Sequence, residues 1–540
     1  MRRDLAVART FPYLLSLVRQ SAFSVHAAMT SRKEPSVGFP AVRADSRGER
    51  FAVVGWLAPA LLFSAMVYYP IVGNYFFDDD FLNLFHIVND PTLQYLVTPN
   101  GGHLLLTRNG LFLLTFRLFG LEPSYYYWGV LLTHLGNVCL LFYLIRRMTG
   151  SAMLASFGAA LWGSTPFNEG SLGWYSVYGH VLVATALLLI LCQVERLAAR
   201  GQTPARRTQW WWYALALAAA TSFGTGIAIA LLLPFILALL LPGWRSWHRL
   251  PLRSLFVTVP VLFVALNALY LRLIGTDPVA PPWMMLLSDP LGIPLIWAQL
   301  VGLGLTRLLF GFYSPSWVAN PVCWLALLTP FAAIVVLVGR AAPERVRRHL
   351  TACALIVLGS YGVIALGRAA IILKLAPQMI TFPRYHYVGQ LGLAMTLCLL
   401  LAQAAPKLTA WPKRLLLVAW YGLTLASYAH FAPSIDHHDA ARRDTQQALA
   451  AMQLTIDHSP PGRDVYIPNH AFKPFLFFPT LFPGWAAVFV VFHPDNRTGD
   501  GRPIHFVEDN PGVIEALQRG KRTEGLLATR EQAAAAAAAK

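Results

Sequence analysis

FAVVGWLAPALLFSAMVYYPI, residues Phe51–Ile71, decides the class of this protein. An uncharged run of this length matches the hydrocarbon core of a bilayer, about 30 Å thick, at about 1.5 Å of helix per residue. Directly beyond it comes Tyr75-Phe76-Phe77-Asp78-Asp79-Asp80-Phe81-Leu82, three adjacent carboxylates set among aromatic residues. Neighbouring carboxylates repel one another and have no packing use at a membrane edge. Their natural setting is one where a cation, or a group giving up a proton, comes close. A plainer reading is a solvated helix start, since acids favour helix N-termini.

Working outward, the composition agrees with the opening run. Apolar residues make up 56% of the chain and charged residues 13%, and the mean hydropathy is +0.50. A soluble protein of this size does not have that balance. The net charge of +17 does not indicate nucleic acid, because the basic residues cluster in short loops between apolar runs, as the positive-inside rule expects. Cys139, Cys192, Cys323, Cys353 and Cys398 fall in or beside those runs and form no CxxC pair, so neither a disulfide framework nor a zinc site is indicated.

The loop charges give an orientation. Arg2, Arg3, Arg9, Arg19, Arg32, Lys33, Arg43, Arg47 and Arg50 precede the first span and place residues 1–50 in the cytoplasm. Asp78–Asp80 then lie outside, in a long external loop over 72–124. Further spans are expected at about 125–145, 151–167 and 176–194, as a tight pair over 210–242, and at 254–274, 319–339, 351–373, 387–405 and 415–431. Arg146-Arg147, Arg196, Arg206-Arg207, Arg245 and Arg345–Arg348 mark cytoplasmic returns. Segment 291–312 then lies between two external points, and is expected to be re-entrant or interfacial. The expectation is an α-helical polytopic membrane protein of about eleven crossings over 51–431, with the N-terminus inside and the C-terminus outside. Residues 432–540 form a small α/β extracytoplasmic module, with strands at Val465–Ile467 and Ala486–Phe492 and a helix at Gly512–Gly520. A multi-pass protein of a bacterial inner membrane fits this pattern.

The external loops hold the candidate chemistry. Asp78, Asp79 and Asp80 supply carboxylates able to take a proton from an acceptor hydroxyl. Arg384, Lys374 and Arg307 supply cations for a phosphate leaving group, with Arg suited to bidentate contact. Arg384 and Lys374 also have a plainer role open to them, snorkelling to lipid headgroups. Glu169, His103, Tyr385 and His386 are candidates for acceptor binding or support, whereas His134, inside a span, reads as a hydrogen-bonded core histidine. No GxxxxGK[ST] loop is present, which argues against an ATP-driven pump.

Six pieces of chain, in order, resemble the polytopic GT-C glycosyltransferases, especially the protein O-mannosyltransferases and the transmembrane tetratricopeptide-containing mannosyltransferases. They are Phe77–Phe81; His103–Arg108 followed by Leu114–Leu118; Tyr127–Leu141, with His134 and Asn137; Pro166–Glu169 with Trp174; Thr225 through Pro234; and Pro383–Val388. The resemblance implies inverting transfer of a monosaccharide from a polyprenyl-phosphate donor on the extracytoplasmic face. The acceptor would be an envelope glycan, lipid or protein. Asp79 would be the catalytic acid-loop carboxylate, with Asp80 beside it and Asp78 the extra residue. Arg384 would hold the lipid phosphate and Glu169 would support the site. No cofactor is required, and a divalent metal is not indicated for a single-phosphate leaving group. Phe223-Gly224 stand where that family carries Lys-Glu, and the tetratricopeptide repeats are absent. A transporter or flippase of lipid-linked sugars is the competing reading, though no internal repeat supports it. A non-catalytic scaffold is a third, and would make the acidic triplet dispensable.

Overall fold

Long uncharged runs leave backbone N–H and C=O groups no partner but one another inside a membrane, and helices result. The computed structural model describes residues 47–76, 79–98, 103–241, 289–310, 321–374, 377–404, 456–468 and 497–507, with isolated positions in 258–269 and 415–422 and at 454. By contact the chain divides into two units, Met1–Ala52 and Val53–Lys540, and the candidate site lies wholly in the second. The helices are α1 (Arg47–Tyr68), α2 (Asp79–Asn89), α3 (Thr92–Val97), α4 (Leu106–Phe119), α5 (Pro123–Thr149), α6 (Ala152–Gly163) and α7 (Gly179–Ala198). They continue with α8 (Arg206–Ala220), α9 (Gly224–Leu240), α10 (Gly292–Phe310), α11 (Pro321–Ala341), α12 (Glu344–Lys374) and α13 (Tyr387–Ala404).

This is the architecture of an α-helical membrane protein. Among the described residues, 7 stretches are long and apolar enough to cross a bilayer: Val53–Gly73, Pro123–Thr149, Tyr175–Ala198, Gly292–Phe310, Trp324–Ala341, Glu344–Leu373 and Tyr387–Ala404. The expected span at 151–167 is the shorter helix α6, which stops at Gly163 ahead of a 3-10 turn at Pro166–Asn168. The expected pair over 210–242 is α8 and α9, turning at Thr221–Phe223. The spans expected at 254–274 and 415–431 lie largely outside the described residues. Segment 291–312, expected to be re-entrant or interfacial, contains one unbroken helix, α10. Pro294 falls in its first turn, where no backbone donor is lost, and no charge interrupts it before Arg307. Against α12, Trp297 Nε1 donates to the Leu358 carbonyl (2.9 Å). Against α13, Gln390 Nε2 donates to the Gly304 carbonyl (3.1 Å).

Two groups of loops separate at opposite ends of the bundle. At the basic end, Gly150 closes α5 at φ 72° and Ser151 caps α6, its side chain accepting from Leu154 N at 3.2 Å. There the Arg345 guanidinium donates to Glu195 (3.2 Å) and to the Arg147 carbonyl (3.4 Å), and His349 Nε2 lies 2.5 Å from Glu195 Oε1. These bonds tie together the ends of α5, α7 and α12, whose basic residues the loop charges had assigned to one face. At the other end, Tyr68 donates its hydroxyl to the Thr165 carbonyl, and Tyr127 donates to the Tyr75 carbonyl (3.0 Å). Exposed Tyr69, Tyr125 and Trp128 border this end and exposed Trp210 and Trp211 the basic one, as aromatic residues do at membrane–water interfaces.

The loops at the acidic end sink between longer helices. Buried His134 of α5 donates from Nε2 to the Gly163 carbonyl (2.9 Å) and accepts at Nδ1 from Tyr387 (2.8 Å). His386 Nδ1 lies 3.1 Å from the Tyr361 hydroxyl of α12. From those positions α5 and α12 run on toward the acidic end by roughly 16 to 20 Å at 1.5 Å per residue. Segments 163–178 and 377–386 therefore form a sunken floor. Farther along the chain, Val465–Pro468 and Ile504–Val507 pair as parallel strands, with Val465 opposite Ile504. The first of these is an expected strand. The other expected elements of the tail, at 486–492 and 512–520, lie outside the described residues.

Candidate functional site

Ser176, in the 3-10 turn Tyr175–Val177, connects the acidic loop to the sunken floor. Its amide and hydroxyl both donate to Asp80 Oδ1, at 2.7 and 2.6 Å, and its carbonyl accepts from Arg108 Nη1 at 3.1 Å. Asn83 Nδ2, one turn into α2, donates to Ser176 Oγ (3.2 Å) and to the Asp79 carbonyl (2.6 Å). Asp80 is fully buried. Phe76, Phe112, Tyr126 and Tyr175 pack edge to face around this junction, their ring centroids 4.8 to 5.8 Å apart, which keeps water off the Asp80–Ser176 bonds.

Asp79, its neighbour, is only partly buried. Burial raises its pKa above the ordinary carboxylate value, and the opposing charges of Arg108, Arg384 and Arg368 only partly offset that effect. The coupling is mutual, because Asp79 acts in turn on Arg108 and on Arg384. A carboxylate whose proton affinity is raised and which stays partly exposed is better suited to accepting a proton than an ordinary one. Asp79 and Asp80 open α2, and Asp79 lies within Coulombic reach of three cations. Asp78 lies outside the described residues.

Arg384 sits in the 3-10 turn Pro383–Tyr385, its guanidinium carbon 4.7 Å from the Phe382 ring centre, 4.9 Å from Trp174 and 5.6 Å from Tyr385. Three ring faces around one guanidinium hold it by cation–π attraction. They leave its N–H groups a restricted direction in which to bind an anion. The turn is fixed from below, where a Cβ on Gly170 would meet Arg384 N at 2.7 Å and Pro383 Cβ at 2.8 Å. Only glycine allows segment 166–178 to approach the 383–385 turn so closely. Ser171 Oγ adds a bond to the Arg384 carbonyl at 3.4 Å.

The remaining candidates divide. Glu169 starts the one-turn helix Glu169–Leu172 beside the Arg384 turn, and Tyr385 lies buried under the guanidinium. His103 packs 5.9 Å from Phe223, and burial, together with Arg368, lowers its pKa to about 4, so it is uncharged at neutral pH. Arg307 belongs to a different group. Fully buried in the last turn of α10, it donates to the Thr381 carbonyl (2.8 Å), lies over Phe167 (4.4 Å), and acts electrostatically on His386 and Tyr361. Burial holds His386 well below the ordinary histidine value. Arg307 is not among the charges that act on Asp79. Lys374 closes α12, and its side chain lies outside the described residues.

Arg108 and Arg368 are the residues sequence reasoning passed over. Arg108 was noted in the loop without a role. It is 2% exposed, and its Nε and Nη2 have no hydrogen-bond partner among the described residues. Arg368 carried a usable signal, a lone charge inside an apolar span, which marks function more often than packing.

No protein-family model matches the chain, and searches of curated proteins and of solved structures returned no match. Among the described residues, no group of three His, Cys, Asp or Glu side chains is placed to hold a metal ion.

Proposed function

We propose that the protein is a membrane glycosyltransferase of GT-C type, moving a monosaccharide from a polyprenyl-phosphate donor to an envelope glycan, lipid or protein acceptor. Transfer takes place on the extracytoplasmic face of a bacterial inner membrane. The observation that carries the reading is the mutual electrostatic coupling of Asp79, on the acidic loop, with Arg384 in its aromatic box. One group can accept a proton and the other can bind a phosphate, and both lie at one end of a bundle whose helices are apolar enough for lipid.

In the reaction, the acceptor hydroxyl oxygen attacks the anomeric carbon and its proton passes to the Asp79 carboxylate. The bond from the anomeric carbon to the phosphate oxygen breaks, and its electron pair leaves with the polyprenyl phosphate. Attack opposite the leaving group inverts the configuration. Arg384 and Arg108 stabilise the charge that grows on the phosphate, in a site where burial strengthens each interaction. Asp80 acts through Ser176, fixing the loop that presents Asp79.

A transporter or flippase of lipid-linked sugars is the second reading. Favouring it is the buried polar group of Arg307, Tyr361, His386 and Gln390 inside the bundle, the kind of interior feature that transport sites use. Transfer of radiolabel from polyprenyl-phosphate sugars in membranes separates the two. Wild type should form labelled product, while Asp79→Asn should abolish it and Arg384→Ala should cut it at least tenfold at low donor concentration, both variants inserting normally. Movement of the donor between leaflets, with no product from wild type, would select the transporter instead.

A further inference from the structure

Two histidines beside the Asp79–Arg384 pair share one aromatic wall. His180, in the first turn of α7, lies 4.0 Å from Phe223 between ring centroids, and His103 approaches the same ring at 5.9 Å. Gly224, the first residue of α9, supports His103 from behind: a Cβ there would meet His103 Cε1 at 2.8 Å and Nε2 at 3.2 Å. Any side chain at 224 would push the imidazole away, so the glycine and the histidine fit each other.

Thr225 Oγ1 lies 3.3 Å from His180 Nδ1, which fixes the ring and leaves Nε2. That atom is buried, in a residue 1% exposed, and has no hydrogen-bond partner among the described residues. Buried polar atoms are rarely left so, and an exception calls for an explanation. Arg384 and Arg368 lie within Coulombic reach of His180, and Arg368 within reach of His103. The imidazoles thus adjoin the cations of the phosphate site, and the surrounding positive charge disfavours a cationic ligand group.

We propose that His180 Nε2, with His103 and Phe223 beside it, forms a hydroxyl-recognition subsite for an uncharged sugar ring whose phosphate rests on Arg384. Whichever tautomer the Thr225 contact selects, Nε2 can pair with a hydroxyl, which both donates and accepts. Phe223 offers the apolar surface that a sugar's C–H face requires. This subsite rests on the lipid-linked-sugar reading, and the test keeps the two apart.

Full-length protein in lipid nanodiscs is titrated with bare polyprenyl phosphate and with its mannosyl and glucosyl esters. Wild type should bind at least one hexosyl form about tenfold more tightly than the bare carrier, the increment of one good hydrogen bond. His180→Ala should erase that increment and leave bare-carrier affinity unchanged, and Gly224→Ala, which displaces His103, should reduce it. Thermal midpoints of both variants serve as the folding control, and His180→Gln, which keeps a polar terminus, should recover part of the increment. Bare-carrier binding without a hexose increment in wild type, or an increment that survives in His180→Ala, overturns the subsite alone. No binding of any of these probes by wild type overturns the lipid-phosphate reading and the subsite with it.

Discussion

Ser176 grips the Asp80 carboxylate twice, through its amide at 2.7 Å and its hydroxyl at 2.6 Å, and leaves the adjacent Asp79 to the cations. Two neighbouring acids therefore have separate tasks. Asp80→Ala should destabilise the fold by about 3 kcal/mol, since hydrogen bonds to a charged group contribute about 1.5–3 kcal/mol each and buried donors are left unmade. Asp79→Asn should stay within about 0.5 kcal/mol of wild type. Thermal unfolding in detergent measures both, and the reverse order would exchange the assignments.

The raised pKa of Asp79 makes a signed prediction. As a general base it works deprotonated, so kcat/KM should fall as pH drops through a value above that of an ordinary Asp. Removing Arg108, the first of the cations that lower the pKa, should move this acid limb to higher pH in Arg108→Gln. Stability runs the opposite way. In the window between the unfolded and folded pKa values the native state binds more protons, so this group's contribution to stability falls as pH rises through it. An acid limb unmoved in Arg108→Gln would remove Asp79 from the role of base.

For Arg384 the aromatic box predicts a graded series. Arg384→Ala should raise KM for the donor at least tenfold. Arg384→Lys keeps the charge but not the planar fork, and should recover only part of the loss. Trp174→Leu removes one face at 4.9 Å, a loss of about 1 kcal/mol or some fivefold. A loss confined to kcat would assign Arg384 to the growing charge of the leaving phosphate alone, and no change in either constant would remove it from the site.

At the basic end, Glu195 is 1% exposed and holds both His349 and Arg345. Removing Glu195 takes away the partner of the buried His349 Nε2, and leaving a buried polar group unmatched costs about 1–3 kcal/mol. Glu195→Ala should therefore lower the unfolding midpoint, and a change below about 0.5 kcal/mol would show that the cluster carries no net weight.

Orientation is tested by labelling. Glu122 and Arg200 are exposed at opposite ends, and Glu122→Cys should react with an impermeant maleimide in intact cells while Arg200→Cys reacts only after permeabilisation. Labelling of both on intact cells would contradict the assignment of sides.

How much of this was legible depended on whether the signal was local. Spans such as Pro123–Thr149 announce themselves by length and apolarity, and the α8–α9 turn by its break at Thr221–Phe223. Loop charges place Asp79 and Arg384 at one end, and the two lie within Coulombic reach of each other. Which acid would be buried was not foreseeable, because Asp79 and Asp80 differ only in the side of α2 that meets Ser176, a residue far along the chain. Arg307 looked equivalent to Arg384 for the same reason, since charge and approximate depth can be read from sequence but a helix's rotation cannot. Whether segment 291–312 crosses turns on counting crossings from loop charges, and that count depends on segment 254–274, which lies largely outside the described residues.

On the proposed reading, the tips of α5 and α12 would limit how closely a bulky acceptor approaches the sunken floor made by segments 163–178 and 377–386, whose Gly163 and His386 ends lie well below them. A slender client, such as a lipid headgroup, a glycan end or an unfolded strand of polypeptide, would meet no such limit.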